Sequence, residues 1–159
     1  MIVADTSPLN YLVLINQIDV LPLLYGRFLI PESVRTELSA TETPQLVRNW
    51  AANLPEWIEV STAVRHDDES LSRLHSGECD AISLALEVRA KAVLMDERHG
   101  RQEAKKRGLR VIGTLGVLTA AHELGMIDLI AALDSLRQTS FHISPKLLAS
   151  IVLKYPDKQ

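Results

Sequence analysis

The sequence predicts one α/β domain with a parallel sheet. Short apolar runs alternate along the chain with longer segments in which apolar residues recur at helical spacing. The chain has 159 residues, of which 47% are hydrophobic and 23% are charged, and this composition is typical of a soluble globular domain. There is one cysteine, which excludes an internal disulfide framework, but a chain of this length can bury a full core without one. We therefore expect residues 1–159 to form a single domain.

Five short apolar runs are predicted to be the strands of this sheet. Pro31 directly follows the second run and marks its end. The predicted strands are Ile2–Ala4, Phe28–Ile30, Ile58–Val60, Ala92–Met95 and Arg110–Ile112.

Helical periodicity fills most of the chain between these strands. Ser7 and Thr43 are expected to cap two helix starts, because each precedes a proline at the first helical position. Gly108 is expected to end another helix. Residues 61–76 form the most polar stretch and predict a surface connection with some helix. The predicted helices are Pro8–Ile15, Asp19–Tyr25, Glu32–Ser39, Thr43–Asn53, Gly77–Arg89, Arg98–Arg107, Leu115–Leu124, Ile127–Leu136 and Pro145–Leu153.

Several function classes leave signatures that this sequence lacks. It has no G-x-x-x-x-G-K-S/T phosphate loop, no G-x-G-x-x-G after the first strand, no G-x-S-x-G elbow and no H-x₃-H spacing for zinc. The net charge of −3 and the aromatic content of 4% restrict any nucleic-acid contact to a local patch. The chain shows no signal-type start, and its apolar runs are shorter than the ~20 residues of a membrane span. We therefore expect a cytoplasmic protein with no membrane contact.

Two acidic residues directly follow predicted strands. Asp5 comes after the first strand and Asp96 after the fourth. Ligands of parallel α/β sheets bind outside the carboxyl ends of the strands, so both carboxylates are candidates for a site. The alternative is ordinary turn chemistry, since aspartate is common where a strand leads into a helix.

The helix that begins near Gly77 carries a third candidate. On a helical wheel, Glu78 lies in the middle of the apolar stripe that includes Ala81, Ile82, Ala85, Leu86 and Val88. Asp80, Ser83 and Glu87 lie near the opposite, solvent-facing pole. A carboxylate on the buried stripe is costly unless a cation meets it. The alternative is a first-turn glutamate that bends toward solvent and interacts with the helix dipole.

Several carboxylates without a matching basic partner indicate a hard-cation site. Mg²⁺ and Mn²⁺ prefer oxygen ligands and keep some water for a phosphate substrate to displace. Either ion can support in-line displacement at phosphorus.

A basic stretch follows Asp96. It contains six basic residues against two acidic ones between Glu97 and Arg110, and we expect Arg98, Arg101 and Lys105 to contact a phosphate backbone. An ordinary solvated helix face is the alternative. Thr114 lies in a Gly-Thr-Leu-Gly turn that could bind phosphate through backbone N–H groups, or it could simply cap the next helix.

These pieces together resemble the PIN-domain nucleases, the fold of VapC-type toxins. The resemblance covers nearly the whole chain, and Gly108–Leu118 is similar to a less-characterised branch of that superfamily. Its carrying motifs are IVADTSPL at Ile2–Leu9, VRTEL at Val34–Leu38, GECDAI at Gly77–Ile82 and VLMDER at Val93–Arg98.

The resemblance implies a three-layer α/β/α fold with a central, mostly parallel sheet of about five strands. It also implies an acidic pocket that holds Mg²⁺ or Mn²⁺ and hydrolyses RNA. Residue by residue, the acidic set corresponds to Asp5, Glu37, Glu78 and Asp96, and Ser7 corresponds to a polar residue near the metal and substrate. Many members have Asp-Ala where this chain has Asp80-Ala81, but the wheel favours Glu78 as the metal ligand, with Asp80 just outside it or at the entrance.

The leading hypothesis is therefore a metal-dependent endoribonuclease, the toxin of a toxin–antitoxin pair, with an antitoxin partner and a homodimeric state. The alternative is a non-catalytic, nuclease-like regulator that binds RNA or a partner and keeps an acidic metal pocket. A phospho-accepting receiver domain needs a lysine at the end of a later strand, where this chain has Val111-Ile112-Gly113-Thr114. A haloacid-dehalogenase phosphatase needs Asp-x-Asp, where this chain has Ser7 in the second position.

Overall fold

Five parallel strands form the central sheet of the computed structural model, which describes residues 1–62 and 69–156. The strands are β1 (Ile2–Ala4), β2 (Phe28–Pro31), β3 (Ile58–Ser61), β4 (Ala92–Leu94) and β5 (Val111–Ile112). Their order across the sheet is β3-β2-β1-β4-β5. Each lies within one residue of its predicted bounds. Residues 63–68 of the predicted polar connection lie outside the described part of the chain.

Helices follow and connect these strands. Over the described residues they are α1 (Thr6–Leu14), α2 (Val20–Tyr25), α3 (Glu32–Leu38), α4 (Gln45–Ala52), α5 (Glu69–Ser72), α6 (Ser76–Glu87), α7 (Arg98–Lys106), α8 (Thr114–Glu123), α9 (Leu129–Arg137) and α10 (Pro145–Lys154). Gly26 and Gly108 follow the ends of α2 and α7 with positive φ angles of 79° and 78°, a conformation that glycine adopts without steric cost.

The two faces of the sheet are covered by separate hydrophobic cores. Successive side chains of a strand point to opposite faces, so Ile2 and Ala4 lie in one core and Val3 lies in the other. The first core takes apolar residues from α1 to α4 and from α8 to α10. The second takes them from α5, α6 and α7. This three-layer α/β/α arrangement confirms the predicted fold.

The centre of the sheet brings two strand ends together. In the register between β1 and β4, Ala4 pairs with Leu94, and the Asp5 N–H donates to the Leu94 carbonyl at 2.9 Å. The residues that follow the two strands therefore leave the sheet side by side. Asp5 and Asp96 are among them, which places both at the carboxyl edge of the sheet.

Two predicted helix caps are wrong. Helix α1 begins at Thr6, so the capping position belongs to Asp5 and Ser7 lies inside the first turn. Helix α4 begins after Pro44, and the Thr43 hydroxyl donates instead to a backbone carbonyl of α3 at 2.6 Å. In both places, the strand or neighbouring helix fixes the chain direction and overrides the local capping preference.

Candidate active site

Three of the four predicted acids line one cleft at the carboxyl edge of the sheet. The cleft has a volume of about 250 Å³. Its described lining contains no lysine or arginine, and it consists of Asp5, Thr6, Ser7, Glu37, His75, Ser76 and Glu78. The strands and helices thus gather carboxylates from three separate parts of the chain without an arginine or lysine to neutralise them.

Asp5 lies at the bottom of this arrangement and is 3% exposed. It occupies the capping position of α1 but makes no side-chain cap there. Pro8, the third residue of the helix, has no N–H to offer a cap. Burial raises the pKa of the Asp5 carboxyl to about 7, the Thr6 N–H opposes that rise, and the charges of Glu78, Glu37 and Asp96 add to it. Asp5 therefore favours a proton or a cation beside it near neutral pH.

Glu78 projects from the first turn of α6 and is 7% exposed. Burial raises the pKa of its carboxyl, the charge on His75 opposes that rise, and the charges of Glu97 and Glu37 add to it. A Cβ atom on Gly100 of α7 would lie 2.5 Å from Met95 Sδ and 3.4 Å from Glu78 Oε2, so glycine permits the close approach to Met95, and α7 lies in ordinary contact with the carboxylate.

Glu37 reaches the cleft from α3. The Thr6 hydroxyl donates to Glu37 Oε2 at 2.5 Å and fixes the carboxylate from the side of α1. On the other side, a Cβ atom on Gly77 would lie only 2.6 Å from Glu37 Oε1. The carboxylate therefore packs directly against the backbone of α6, and glycine at position 77 is what permits this approach.

Asp96 does not line this cleft, and its carboxylate is fixed by its own hydrogen bonds. It accepts from the Thr114 N–H at Oδ1 and from the Thr114 hydroxyl at Oδ2, each at 2.7 Å. Burial raises the pKa of the Asp96 carboxyl, while these two hydrogen bonds and the charge on Arg101 oppose that rise. Asp96 lines a second, larger cleft along β5, and its charge still reaches Asp5.

Thr114 differs from its expected role as a helix cap. Gly113 takes the capping position of α8, and Thr114 is the first residue inside the helix. Its side chain is fully buried and is committed to Asp96. Thr114 thus orients an acid of the site.

The comparisons with known proteins agree with this geometry. A family model described as a PIN domain, DUF3368, matches residues 1–155 of the chain. The chain belongs to the PIN-domain family. No curated protein gives a significant match to this chain.

Membership in the PIN-domain family indicates the general chemistry of such a cleft. PIN domains are generally nucleases that act on nucleic acids and use divalent metal ions. Among the described residues of this PIN domain, no helix combines the length and the apolar character needed to cross a membrane.

The burial of residues in helix α6 of this PIN domain differs in part from what the helical wheel predicts. Glu78, Ala81, Ile82 and Ala85 are buried as the wheel predicts. Ser83, predicted to face solvent, is fully buried, whereas Val88, predicted to lie on the apolar stripe, is 40% exposed. Helix α6 contacts β1, β2, β4, α3 and α7, so it is covered on more than one side. The buried arc is therefore wider than one stripe, and it ends before Val88.

Asp80 stands two residues after Glu78 and is half-buried. It is not among the residues that line the acidic cleft, whereas Glu78 is. This placement favours Glu78 over Asp80 as the acid of α6 that meets the substrate.

The predicted basic contacts are divided by the structure. Arg98 and Lys105 are exposed on α7. Arg101 is half-buried, donates from Nη1 to the Met95 carbonyl at 2.9 Å and lines the second cleft beside Asp96. Arg98 and Lys105 remain available to solvent, while Arg101 is tied to the end of β4.

Sequence reasoning missed three residues of the acidic cleft. Thr6 directly follows Asp5, and its place at the start of a helix was the available signal. His75 and Ser76 stand at the start of α6, with His75 in the capping position. Their position at the start of a helix that carries a buried acid was the available signal.

The donor set of the cleft fits a hard cation by chemical type. In the present arrangement, no three acidic, histidine or cysteine side chains of the described residues converge as a ready-made metal cluster. Thr6 holds Glu37 and Thr114 holds Asp96. Asp5 and Glu78 are the two buried acids that have no such side-chain partner within residues 1–62 and 69–156. Mg²⁺ commonly uses only one or two carboxylates together with waters and substrate phosphate, so this pair is sufficient.

Proposed function

We propose that this PIN domain is a metal-dependent endoribonuclease that hydrolyses RNA phosphodiester bonds. The observation that carries the proposal is the acidic cleft, in which Asp5, Glu37 and Glu78 meet without an arginine or lysine in the described lining. Buried acids with raised pKa values are typical of functional sites, because the stability of the fold does not require a buried carboxyl group.

The residues have distinct roles in this proposal. Asp5 and Glu78 would hold Mg²⁺ or Mn²⁺, and Asp96, the other acid at a strand end, would complete the metal-binding set. A bound divalent cation supplies Lewis-acid stabilisation of the charge that develops on the phosphodiester. Thr6 fixes the Glu37 carboxylate in the wall of the cleft, where Glu37 would accept a proton from the attacking water. Thr114 fixes the orientation of Asp96.

The substrate contacts follow from what is exposed around the cleft. Ser7 lines it and can donate a hydrogen bond to a phosphate oxygen. Arg98 and Lys105 would contact the RNA backbone independently of sequence, since both are exposed. Arg101 lies beside Asp96 and would contact the RNA where the RNA leaves the acidic cleft.

We further propose that the protein is the toxin of a toxin–antitoxin pair, acts in the cytoplasm and forms a homodimer. Leu147, Val152 and Leu153 are exposed apolar side chains on α10, with Leu153 85% exposed. Such a surface supports a protein partner, either an antitoxin or a second copy.

The decisive experiment incubates the purified protein with a mixed RNA pool, with Mn²⁺ or with chelator. We expect cleavage with Mn²⁺ and none with chelator. Glu78→Gln should abolish the Mn²⁺-dependent cleavage, while the matched variant Asp80→Asn should keep a substantial fraction of it, because Asp80 does not line the cleft. Uncut RNA in every wild-type reaction would favour the non-catalytic, nuclease-like regulator instead.

A further inference from the structure

A second cleft of about 580 Å³ runs along β5 from the acidic edge of the sheet. Strand β5 is at the edge of the sheet and has β4 as its strand neighbour. Asp96 lines one part of this cleft, and Tyr25 and Arg110 line another. The volume lies within the range of pockets that bind small organic ligands, and it is large enough for one nucleotide.

Two exposed side chains of the cleft, an arginine and a histidine, are available to a ligand. Arg110 and His142 line it and are exposed. Within the described residues, neither side chain makes a hydrogen bond or an ion pair, in contrast to Arg101, which is tied to the Met95 carbonyl. Arg110 also lies close enough to Tyr25 for its charge to oppose the burial that raises the pKa of the Tyr25 hydroxyl. An anionic group that enters the cleft would therefore meet Arg110 and His142 before any carboxylate except Asp96.

Two aromatic side chains lie in the same cleft. Phe141 packs edge-on against Tyr11, with the ring centroids 5.0 Å apart, and Tyr25 packs edge-on against Phe28 at 6.2 Å. Both Phe141 and Tyr25 are half-buried and line the cleft. A fixed aromatic ring with an accessible face is a platform on which a base of any sequence can stack.

Asp96 joins the two clefts, since it lines this one and its charge acts on Asp5 in the other. We propose that the cleft along β5 binds the nucleotide of single-stranded RNA that neighbours the cleaved bond, with its phosphate at Arg110 and His142 and its base against Phe141 and Tyr25. This inference rests on the proposed nuclease function and adds a binding site for the substrate. The site would favour single-stranded RNA, because only an unpaired base can turn toward an aromatic ring.

Two variants test the site without touching the acidic cleft. Arg110→Gln removes the charge, and Phe141→Leu removes the stacking face but keeps an apolar side chain against Tyr11. Arg137→Gln is the matched control, because Arg137 is exposed on α9 and does not line the cleft. Binding of a labelled, single-stranded RNA oligonucleotide of random sequence is measured by fluorescence anisotropy in chelator, and kcat and KM are measured with Mn²⁺.

We expect both variants to raise Kd and KM by about fivefold to tenfold, because Arg110→Gln loses a phosphate contact and Phe141→Leu loses part of the stacking contact. Only Arg110→Gln should also flatten the dependence of binding on salt, by a slope of about 1. Arg137→Gln should match the wild type.

The outcomes separate this inference from the function on which it rests. If the wild type neither binds nor cleaves RNA, the nuclease proposal itself fails. If the wild type cleaves RNA and both cleft variants keep its Kd, KM and salt slope, the nucleotide site is refuted and the cleft belongs to another ligand, such as a peptide of a protein partner. A circular dichroism melt of each variant shows whether a loss of binding comes from unfolding.

Discussion

Replacing Asp5 by asparagine removes a carboxyl group that the fold buries at the end of β1. The carboxyl is 3% exposed, and its pKa is about 7 in the folded protein. In the unfolded chain the same group has an ordinary aspartate pKa of 3.8. Below pH ~3 the group is mostly protonated in both states and does not affect the balance between them. As the pH rises toward 7, the unfolded chain releases this proton first, so the folded state loses stability.

The size of this loss follows from the difference between the two pKa values. It is about three units, and one unit corresponds to about 1.4 kcal/mol, so ionised Asp5 lowers the free energy of unfolding by up to about 4 kcal/mol above pH ~7. Asparagine does not titrate and has nearly the same shape. Its amide N–H groups need acceptors, and an unmet donor costs about 1–3 kcal/mol. We expect Asp5→Asn to be about 1–3 kcal/mol more stable than the wild type at pH 8 and about 1–3 kcal/mol less stable than it at pH ~3, so that its relative stability rises by about 4 kcal/mol between the two.

Urea denaturation in chelator at both pH values measures this difference. The pKa values of Glu78 and Asp96 are also raised, so the wild type and the variant should both lose stability as the pH rises. The difference between the two proteins isolates Asp5. Asp134→Asn provides the control, because Asp134 is exposed on α9 and should show no such pH-dependent gain. The same Asp5→Asn variant should have lost its RNA cleavage.

One result would refute this reasoning. If Asp5→Asn loses a large part of its stability at both pH values, then the Asp5 side chain is a structural cap of α1 and not an acid held for function. Addition of Mn²⁺ gives an independent check, since a cation that binds only the folded state stabilises it by mass action. Mn²⁺ should therefore stabilise the wild type at pH 8 and leave Asp5→Asn unchanged.

Three further substitutions probe the supports of the site. Gly77→Ala places a methyl group 2.6 Å from Glu37 Oε1, so cleavage should fall more than about tenfold while thermal melts show an unchanged or higher midpoint, because alanine favours the helix. Thr114→Val removes a hydroxyl donor to a strand-end acid and should weaken Mn²⁺ activation about tenfold in a metal titration, while Thr114→Ser should restore it. Ser83→Ala removes a buried hydroxyl that has no hydrogen-bond partner among the described residues, so urea denaturation should show a gain of about 1 kcal/mol; a loss would reveal an acceptor for that hydroxyl.

The three inner strands β1, β2 and β4 were predictable because each is a short apolar run that is buried throughout, whereas β3 and β5 are only partly buried. Ile2–Ala4 and Ala92–Leu94 are buried throughout, so their composition alone indicates central strands. Gly108 was equally informative, because a positive φ after a helix favours glycine. Helix starts were less predictable. Asp5 occupies the capping position that was expected for Ser7, because the direction in which β1 leaves the sheet decides where α1 begins.

The site was predictable where a strand end fixes the residue and less so where tertiary packing does. Asp5 followed from its position after β1, and Glu78 followed from the phase of its helix. Glu37 had only a weak local signal, as an acid beside the apolar residues Val34 and Leu38, and its assignment depended on the family resemblance, because nothing in this pattern shows that α3 packs against α6. The hydrogen bonds from Thr114 that fix Asp96 were not predictable either, because they depend on where α8 begins.

The brevity of β5 has a consequence for how this protein behaves at high concentration. An edge strand presents unpaired backbone groups, and a long, flat, apolar edge invites strands of other molecules to pair with it. β5 is two residues long, and exposed Arg110 stands at its start. Another chain could add only a very short ladder there and would bring its backbone against an arginine. The same open edge that leaves room for a ligand is therefore a poor template for aggregation, and the protein can keep a cleft beside its sheet without covering it.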